Sequence, residues 1–284
     1  MLKTRLIPVL LLQDGHLVRS ERFREHQIIG DPLHEVERFI EWNVDEIIYL
    51  DITRGDHYAA CRDDQKVAGL GDRLAILDAV SRRCFVPLTW GGHLSTVEQM
   101  RACLERGADK IAVNSAALAR PALLTEAAET FGSQAVVVGI DVERAADGRL
   151  EVFTDGGRTT TGRNPAAWAR EAADRGAGEV LLQSIDRDGS GRGYDVDLIR
   201  EVAAAVSIPV IACGGVGRYE DYADGVRAGA DAVAAANIFH FKEAADRNGK
   251  RALRSAGVDV RMEEMTWSFG TALGASTRAS RQRR

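Results

Sequence analysis

The chain repeats one arrangement of residues in its two halves, and this repeat restricts the folds that it can adopt. A glycine pair follows an apolar run in each half, as Gly91-Gly92 and as Gly214-Gly215. The first glycine of each pair precedes an asparagine, Asn114 or Asn237, by the same 23 residues. Matching halves predict a closed barrel built from two half-barrels, whereas an open doubly wound sheet would not predict them.

Short apolar runs alternate with longer amphipathic segments along the chain. Near-continuous runs of Val, Ile and Leu are typical of parallel strands that are buried on both faces. We predict strands at residues 6–11, 46–51, 86–90, 110–113, 135–141, 179–184, 209–212 and 232–235. Alternation of this kind over roughly 250 residues predicts a single (β/α)8 TIM barrel with an internal half-barrel repeat.

The predicted barrel spans residues 1–262 and carries two insertions. Residues 54–71 form a long polar loop after the second strand, on the face where barrels carry their active sites. Residues 148–162 alternate in polarity around a Gly-Gly turn, which predicts a β-hairpin. We expect residues 263–284 to form a C-terminal extension whose distal part is disordered.

Composition excludes several classes of protein. The net charge of −5 is mixed along the chain, which gives no basic surface for nucleic acid. The 4 cysteines are widely spaced and three candidate loop histidines, His16, His57 and His93, lack metal-ligand spacing. We therefore expect no disulfide, no metal and no cofactor, and we expect the histidines to be solvated. The sequence has no membrane segment or leader pattern, so a cytoplasmic location is expected.

The glycine pairs are candidates for phosphate binding because glycine lets backbone N–H groups approach a ligand closely. A single pair is more often only a tight turn. Here the pairs recur at matching positions, together with Asn114-Ser115, Asn237 and Asp188-Gly189. The repeat therefore favours a small molecule that carries phosphate at both ends.

Two aspartates, Asp51 and Asp141, end predicted strands, where a barrel places its reacting groups. A carboxylate there can transfer a proton or hold a substrate hydroxyl. Taken singly, each could instead cap the next helix. The counterpart of Asp141 in the first half is Leu11, which cannot transfer protons.

Four charged residues of alternating sign lie near the starts of predicted strands, at the opposite mouth of the barrel. They are Arg5, Glu46, Lys110 and Glu179. They could form an ion-paired ring that closes the floor of the barrel. The alternative is that these residues form ordinary salt bridges that only stabilise the bottom face of the barrel.

Over residues 1–262 the chain resembles the HisF family, the cyclase subunit of imidazole glycerol phosphate synthase. The motifs that carry the resemblance are Arg5-Leu6-Ile7-Pro8, Gly30-Asp31-Pro32, Leu50-Asp51-Ile52-Thr53, Phe131-Gly132-Ser133-Gln134-Ala135 and Ser184-Ile185-Asp186-Arg187-Asp188-Gly189. The resemblance implies a barrel that receives ammonia from a HisH-type glutaminase docked beneath it. The ring of Arg5, Glu46, Lys110 and Glu179 then matches the ammonia gate of the family, and Asp109 matches a residue that faces the glutaminase.

The resemblance also implies a pair of catalytic aspartates, one in each half. Asp141 matches one of them, and Leu11 replaces the other. Three further positions depart from the family pattern: Arg19 stands for a lysine in the first loop, His93 for a third glycine, and Gln183 for a threonine. His93 would crowd one phosphate site.

These departures lie on the top face, whereas the gate residues are all present. The pattern resembles a divergent HisF-like branch that serves acetamidino modification of surface-polysaccharide (O-antigen) sugars. We therefore predict an ammonia-delivering subunit of a glutamine amidotransferase complex, with a glutaminase and a separate sugar amidotransferase as partners. The alternatives are the cyclase subunit of histidine biosynthesis and a catalytically silent activator of a glutaminase.

Overall fold

A computed structural model describes residues 3–41, 44–55 and 72–262. The predicted loop 54–71 lies outside the described residues beyond Gly55, and the predicted extension 263–284 lies wholly outside them. His57 also falls outside the described part of the chain.

A closed barrel of parallel strands forms the centre of the molecule, as the sequence predicts. The strands are β1 (Arg5–Gln13), β2 (His16–Glu21), β3 (Glu25–Gly30), β4 (Ile47–Asp51), β5 (Leu88–Gly91), β6 (Lys110–Val113), β7 (Val136–Arg144), β8 (Leu150–Thr154), β9 (Thr159–Thr160), β10 (Glu179–Ser184), β11 (Val210–Cys213) and β12 (Ala232–Ala235). Parallel pairing runs in the order β1-β4-β5-β6-β7-β10-β11-β12, and β12 pairs with β1 to close the ring. This is the (β/α)8 TIM barrel.

Helices cover the outside of the barrel. They are α1 (Pro32–Glu41), α2 (Arg73–Ser81), α3 (Val97–Leu104), α4 (Ser115–Ala119), α5 (Ala122–Phe131), α6 (Pro165–Asp174), α7 (Val196–Ala203), α8 (Asp221–Arg227), α9 (Asn237–Phe241) and α10 (Ala245–Ser255). The first of them begins after Asp31, whose Oδ1 accepts hydrogen bonds from the backbone N–H groups of Leu33 and His34. A cap of this kind stabilises a helix by about 1 kcal/mol.

Alternation along the strands divides the apolar side chains into two layers. On β1, Leu6, Leu10 and Leu12 face the helices and join the larger buried cluster. Ile7 and Leu11 point into the barrel and join a second, smaller cluster. Because successive side chains of a strand point to opposite faces, one strand supplies both layers.

The structure contains a β-hairpin that the sequence analysis missed. Strand β1 continues past the barrel and pairs with β2, which pairs in turn with β3. Asp14 and Gly15 form the two-residue turn with φ angles of 53° and 83°, and an Asp-Gly pair between strands is a recognised hairpin signal. His16, expected to be solvated, is instead buried in this hairpin.

The second half repeats this extension. Strand β7 runs past the barrel rim and pairs with β8, which pairs with β9, within residues 148–162. In the barrel, β1 and β7 are separated by three strands on either side, so they face each other across its axis. The internal repeat is therefore visible as two opposed strands, each continued by a hairpin.

Within the described ranges, no helix is long and apolar enough to cross a membrane.

Candidate functional site

A cavity of about 1020 Å³ opens at the carboxyl ends of the barrel strands. Most of the candidates from the first half of the repeat meet here. The cavity is lined by the predicted residues Asp51, Gly92, Asn114, Ser115, Asp141, Gln183 and Asp188, and by Leu11. A concave site at this face is where barrel enzymes carry out their chemistry.

A smaller pocket of about 250 Å³ adjoins it and holds the glycine pair and the asparagine of the second half. Its lining includes Arg19, Asp188, Gly189, Gly214, Gly215 and Asn237. Asp188 and Cys213 line both spaces. The two glycine-containing ends are thus connected at the top of one barrel.

Steric crowding explains the glycines at both ends. A Cβ atom on Gly92 would lie 2.1 Å from the backbone oxygen of Asp51, and one on Gly215 would lie 2.3 Å from that of Gly193. Both glycines also have positive φ angles, which other residues rarely adopt. Gly91, by contrast, lies buried in β5 and is not among the residues that line either space.

Asp141 lies in β7 and is held between two side-chain amides. Its Oδ2 accepts a hydrogen bond from Asn114 Nδ2 at 2.7 Å, and its Oδ1 accepts one from Gln183 Nε2 at 3.3 Å. Burial raises the pKa of the Asp141 carboxyl to about 7, although the two amide hydrogen bonds act in the opposite direction. The carboxyl can therefore give or take a proton near neutrality.

Asp141 does not end its strand, contrary to the prediction, because β7 continues for three residues to pair with β8. Leu11 occupies the equivalent place in β1, which likewise continues to Gln13. The leucine is 8% exposed and belongs to the apolar cluster inside the barrel. The cavity therefore has a carboxyl on one wall and a hydrocarbon side chain on the opposed strand.

Three other carboxylates, Asp51, Asp155 and Asp188, line the cavity. Asp51 is the last residue of β4, and its Oδ1 accepts a hydrogen bond from the backbone N–H of Thr53 at 3.0 Å. Asp188 Oδ2 accepts hydrogen bonds from Ser20 Oγ at 2.6 Å and from the Phe23 backbone N–H at 3.2 Å. Burial raises the pKa of Asp188, while these two hydrogen bonds oppose the rise.

The hairpin formed by β2 and β3 supplies residues that the sequence analysis did not select. Ser20, Phe23 and His26 line the large cavity. Asn237 Nδ2 donates to the backbone oxygen of Ser20 at 3.0 Å, which ties the hairpin to the second half of the barrel. The Asp14-Gly15 turn, which joins β1 to β2, was the signal that could have revealed this extension of the barrel.

Two of the residues that depart from the family pattern have defined positions at the site. His93 lines the large cavity with a φ of 56°, in the left-handed region that favours glycine. Arg19 lines the smaller pocket, where its Nε donates to Gln27 and its guanidinium lies 5.9 Å from the centre of the Phe241 ring. Lys242 lines the same pocket and adds a second cation to it.

The four charged residues at the other mouth form a closed ring of ion pairs. Arg5 contacts both Glu46 and Glu179 through separate nitrogens. Lys110 Nζ lies 2.9 Å from Glu46 and 2.8 Å from Glu179. Burial lowers the pKa of Arg5, but the charges of Glu179 and Glu46 and the hydrogen bonds to them together raise that pKa overall. Each cation therefore bridges both anions below the apolar interior.

Asp109 lies beside this ring and is exposed. Its Oδ2 accepts a hydrogen bond from the Leu88 backbone N–H at 2.8 Å. In the second half Asp231 accepts from the Val210 backbone N–H at 2.9 Å in the same manner. One oxygen of Asp109 therefore stabilises the start of a barrel strand, as its counterpart does.

Within residues 3–41, 44–55 and 72–262, no group of three or more His, Cys, Asp or Glu side chains is placed to hold a metal ion.

Comparison with known proteins identifies the family. Residues 5–245 match the family model described as "Histidine biosynthesis protein". The chain belongs to this histidine biosynthesis family. A relative from Gluconacetobacter diazotrophicus is 46% identical over 264 residues, which cover 92% of this chain and 97% of that protein. Another, from Hyphomonas neptunium, is 47% identical over 262 residues, covering 92% and 99%.

Both relatives are named "Imidazole glycerol phosphate synthase subunit HisF". The predicted resemblance to HisF is confirmed. The prediction that the chain serves modification of surface-polysaccharide sugars is wrong. Relatives that match 92% of its length are named as the HisF subunit of imidazole glycerol phosphate synthase, not as polysaccharide-modifying proteins. Neither relative supports the predicted sugar-amidotransferase partner.

The few departures on the top face do not change the substrate class, because most of the site is retained. Leu11 removes one carboxyl, but Asp141 and the glycines at both ends of the site are still present. Four changed side chains alter the lining of a cavity without specifying another substrate, since function depends on the complete site.

Proposed function

We propose that this chain is the cyclase subunit of an imidazole glycerol phosphate synthase. In this role it takes ammonia from a HisH-type glutaminase and closes an imidazole ring on a phosphorylated substrate. The observation that carries the proposal is Asp141, a buried carboxyl with a pKa of about 7, in a cavity that contains one glycine-containing end of the site and adjoins the pocket that contains the other. The names of the two relatives support the same reaction.

The substrate spans the two ends of the site through its phosphates. In the first half, Gly92, Asn114 and Ser115 line the end of the large cavity. In the second half, Gly214, Gly215 and Asn237 line the smaller pocket, with Arg19 and Lys242 as cations. Exposed backbone N–H groups and cations are the usual ligands of phosphate in proteins.

Proton transfer during ring closure is assigned to Asp141 and Asp51. Leu11 cannot take part, so a second carboxylate must come from another strand. Asp51 ends β4, the neighbour of β1, and pairs in register with Leu12. Asp51 and Asp141 line the same cavity, which places both carboxylates beside one ligand.

Ammonia enters from the floor. The ring of Arg5, Glu46, Lys110 and Glu179 closes the lower mouth, and a break in one ion pair would open it. Above the ring, side chains such as Ile7, Val137 and Leu181 form an apolar interior that carries no charge. The glutaminase then docks on the face that bears Asp109.

Turnover of the phosphoribosyl formimino substrate tests the proposal. The purified chain with added ammonium is expected to form imidazole glycerol phosphate, and Asp141→Asn is expected to lower kcat by roughly 10²–10⁴-fold. Asp246→Asn is a matched control, because Asp246 is another buried carboxyl but lies on α10 outside the lining of both spaces. Its kcat should equal that of the wild type.

Absence of turnover in the wild type, with a folded barrel and with its glutaminase supplied, would refute the cyclase assignment. Stimulation of the glutaminase without product formation would instead identify the chain as a silent activator.

A further inference from the structure

Asp141 is held by donors from both neighbouring strands. Asn114 follows β6 and Gln183 lies in β10, the two parallel strands that flank β7 in the barrel. Gln183 is the direct register partner of Asp141. The two amides therefore reach the carboxyl from opposite sides, on a rigid part of the barrel.

Each oxygen of Asp141 faces a nitrogen that can only donate. Asn114 Nδ2 lies 2.7 Å from Oδ2, and Gln183 Nε2 lies 3.3 Å from Oδ1. When the carboxyl takes up a proton, that proton cannot point at either amide nitrogen, because both already direct hydrogens at the oxygens. Asp141 lines the cavity, so a proton on one of the remaining lone pairs is accessible from that side.

We propose that Gln183 is a positioning residue: together with Asn114 it holds Asp141 so that the acidic proton points into the cavity. The inference rests on the proposed function, because it gives Asp141 the role of proton donor and acceptor. Leu11, on the strand opposed to Asp141, offers no carboxyl that could share this role.

Other titratable groups near Asp141 also interact with its carboxyl. Asp188, which follows β10, raises the pKa of Asp141 through its charge. Cys213, at the end of β11, has its own pKa raised by burial and, to a smaller extent, by Asp188 and Asp141. Both groups stay in place when only residue 183 is changed, so a change in the pKa of Asp141 can be assigned to that substitution.

Two substitutions give opposite expectations. Gln183→Met keeps the length of the side chain but removes the donor, so the pKa of Asp141 should rise by roughly 0.5–1 unit. Gln183→Lys keeps a donor and adds a positive charge, so this pKa should fall. Gln99→Met is the control, because Gln99 lines the same cavity but hydrogen-bonds with Ser95 rather than with Asp141.

Two measurements read out the shift. The Asp141 carboxyl is titrated by ¹³C NMR on the full chain, with Asp141→Asn used to assign its signal. The pH dependence of kcat is then measured with ammonium as the nitrogen source. Shifts of opposite sign for Gln183→Met and Gln183→Lys, with none for Gln99→Met, are expected in both.

Lower kcat with unchanged midpoints in both measurements would overturn the inference, since a purely structural role would lower activity without moving the pH profile. NMR shifts in the expected directions, in a chain that never turns over the substrate, would support the positioning of Asp141 and refute the proposed function. Turnover without any NMR shift would support the function and refute the role of Gln183.

Discussion

Leu11→Asp tests whether the missing carboxyl limits the reaction. Leu11 lies on the strand opposed to Asp141, and its side chain lines the same cavity. An aspartate there would place a second proton-transfer group across the ligand from the first. Proton transfer by a positioned side chain contributes about 10²–10⁴-fold to a rate. We expect kcat to rise by roughly 10²-fold, the lower end of this range, because the proposed mechanism already assigns part of the proton transfer to Asp51.

The substitution also has a cost in stability. Leu11 is 8% exposed within the apolar interior, so removing it loses about 1.5–3 kcal/mol of hydrophobic stabilisation. Leu11→Asn is the matched control, because it loses the same apolar contacts and introduces a side chain of the same size without a titrating group. The ratio of kcat between the two variants therefore isolates the carboxyl.

The assay is steady-state turnover of the phosphoribosyl formimino substrate with saturating ammonium, with folding verified by denaturant unfolding. A ratio close to one between two folded variants would contradict the argument. It would mean that Asp51 supplies the whole second role, or that proton transfer at position 11 is not used in this chain.

Three further predictions concern Asp141, the floor and His93. Burial raises the pKa of Asp141 from 3.8 to about 7 in the folded chain. Between these two pH values the folded chain binds a proton at Asp141 that the unfolded chain has released, so the free energy of unfolding falls as the pH rises. The change in the free energy of unfolding caused by Asp141→Asn, measured by denaturant unfolding, should be more stabilising at pH 8 than at pH 5 by about 2–3 kcal/mol. An equal change at both pH values would refute the raised pKa. Lys110→Met breaks the contacts of Lys110 with Glu46 and Glu179, so glutamine-dependent turnover should fall more than ammonium-dependent turnover; an equal loss in both assays would count against a gate. His93→Gly relieves a left-handed φ of 56° and should raise the free energy of unfolding by about 1 kcal/mol. The KM for the substrate should fall, because the imidazole no longer crowds the phosphate. A higher KM would show instead that His93 binds the substrate.

The periodicity of the sequence was sufficient to predict the barrel fold. Strands buried on both faces require near-continuous apolar runs, and this pattern placed β6, β10 and β12 at their observed bounds. Strands β2 and β3 were missed because they carry mixed polar residues, and only the Asp14-Gly15 turn between β1 and β2 marks this extension. A local turn signal is weaker than a strand pattern that is repeated eight times.

Within the site, the sequence identified residue types but not their contacts. It selected Asp141, Asn114 and Gln183 separately, and it assigned the two amides to substrate binding. Their hydrogen bonds to one carboxyl depend on the order of β6, β7 and β10 around the barrel, which no local pattern specifies. The exposure of Ser20 and Phe23 to the cavity depends in the same way on how the first hairpin folds over the rim.

By itself, the sequence determined the repeat, the barrel, the charged residues of the floor and the replacement of one carboxyl by Leu11, because each of these is a matter of residue type and spacing. Only the tertiary structure decided that Arg5 and Lys110 each bridge both glutamates, and that Asp141 is buried between two amide donors. Closure of the barrel brings together residues far apart in the chain, and burial then sets the pKa of the carboxyl they surround.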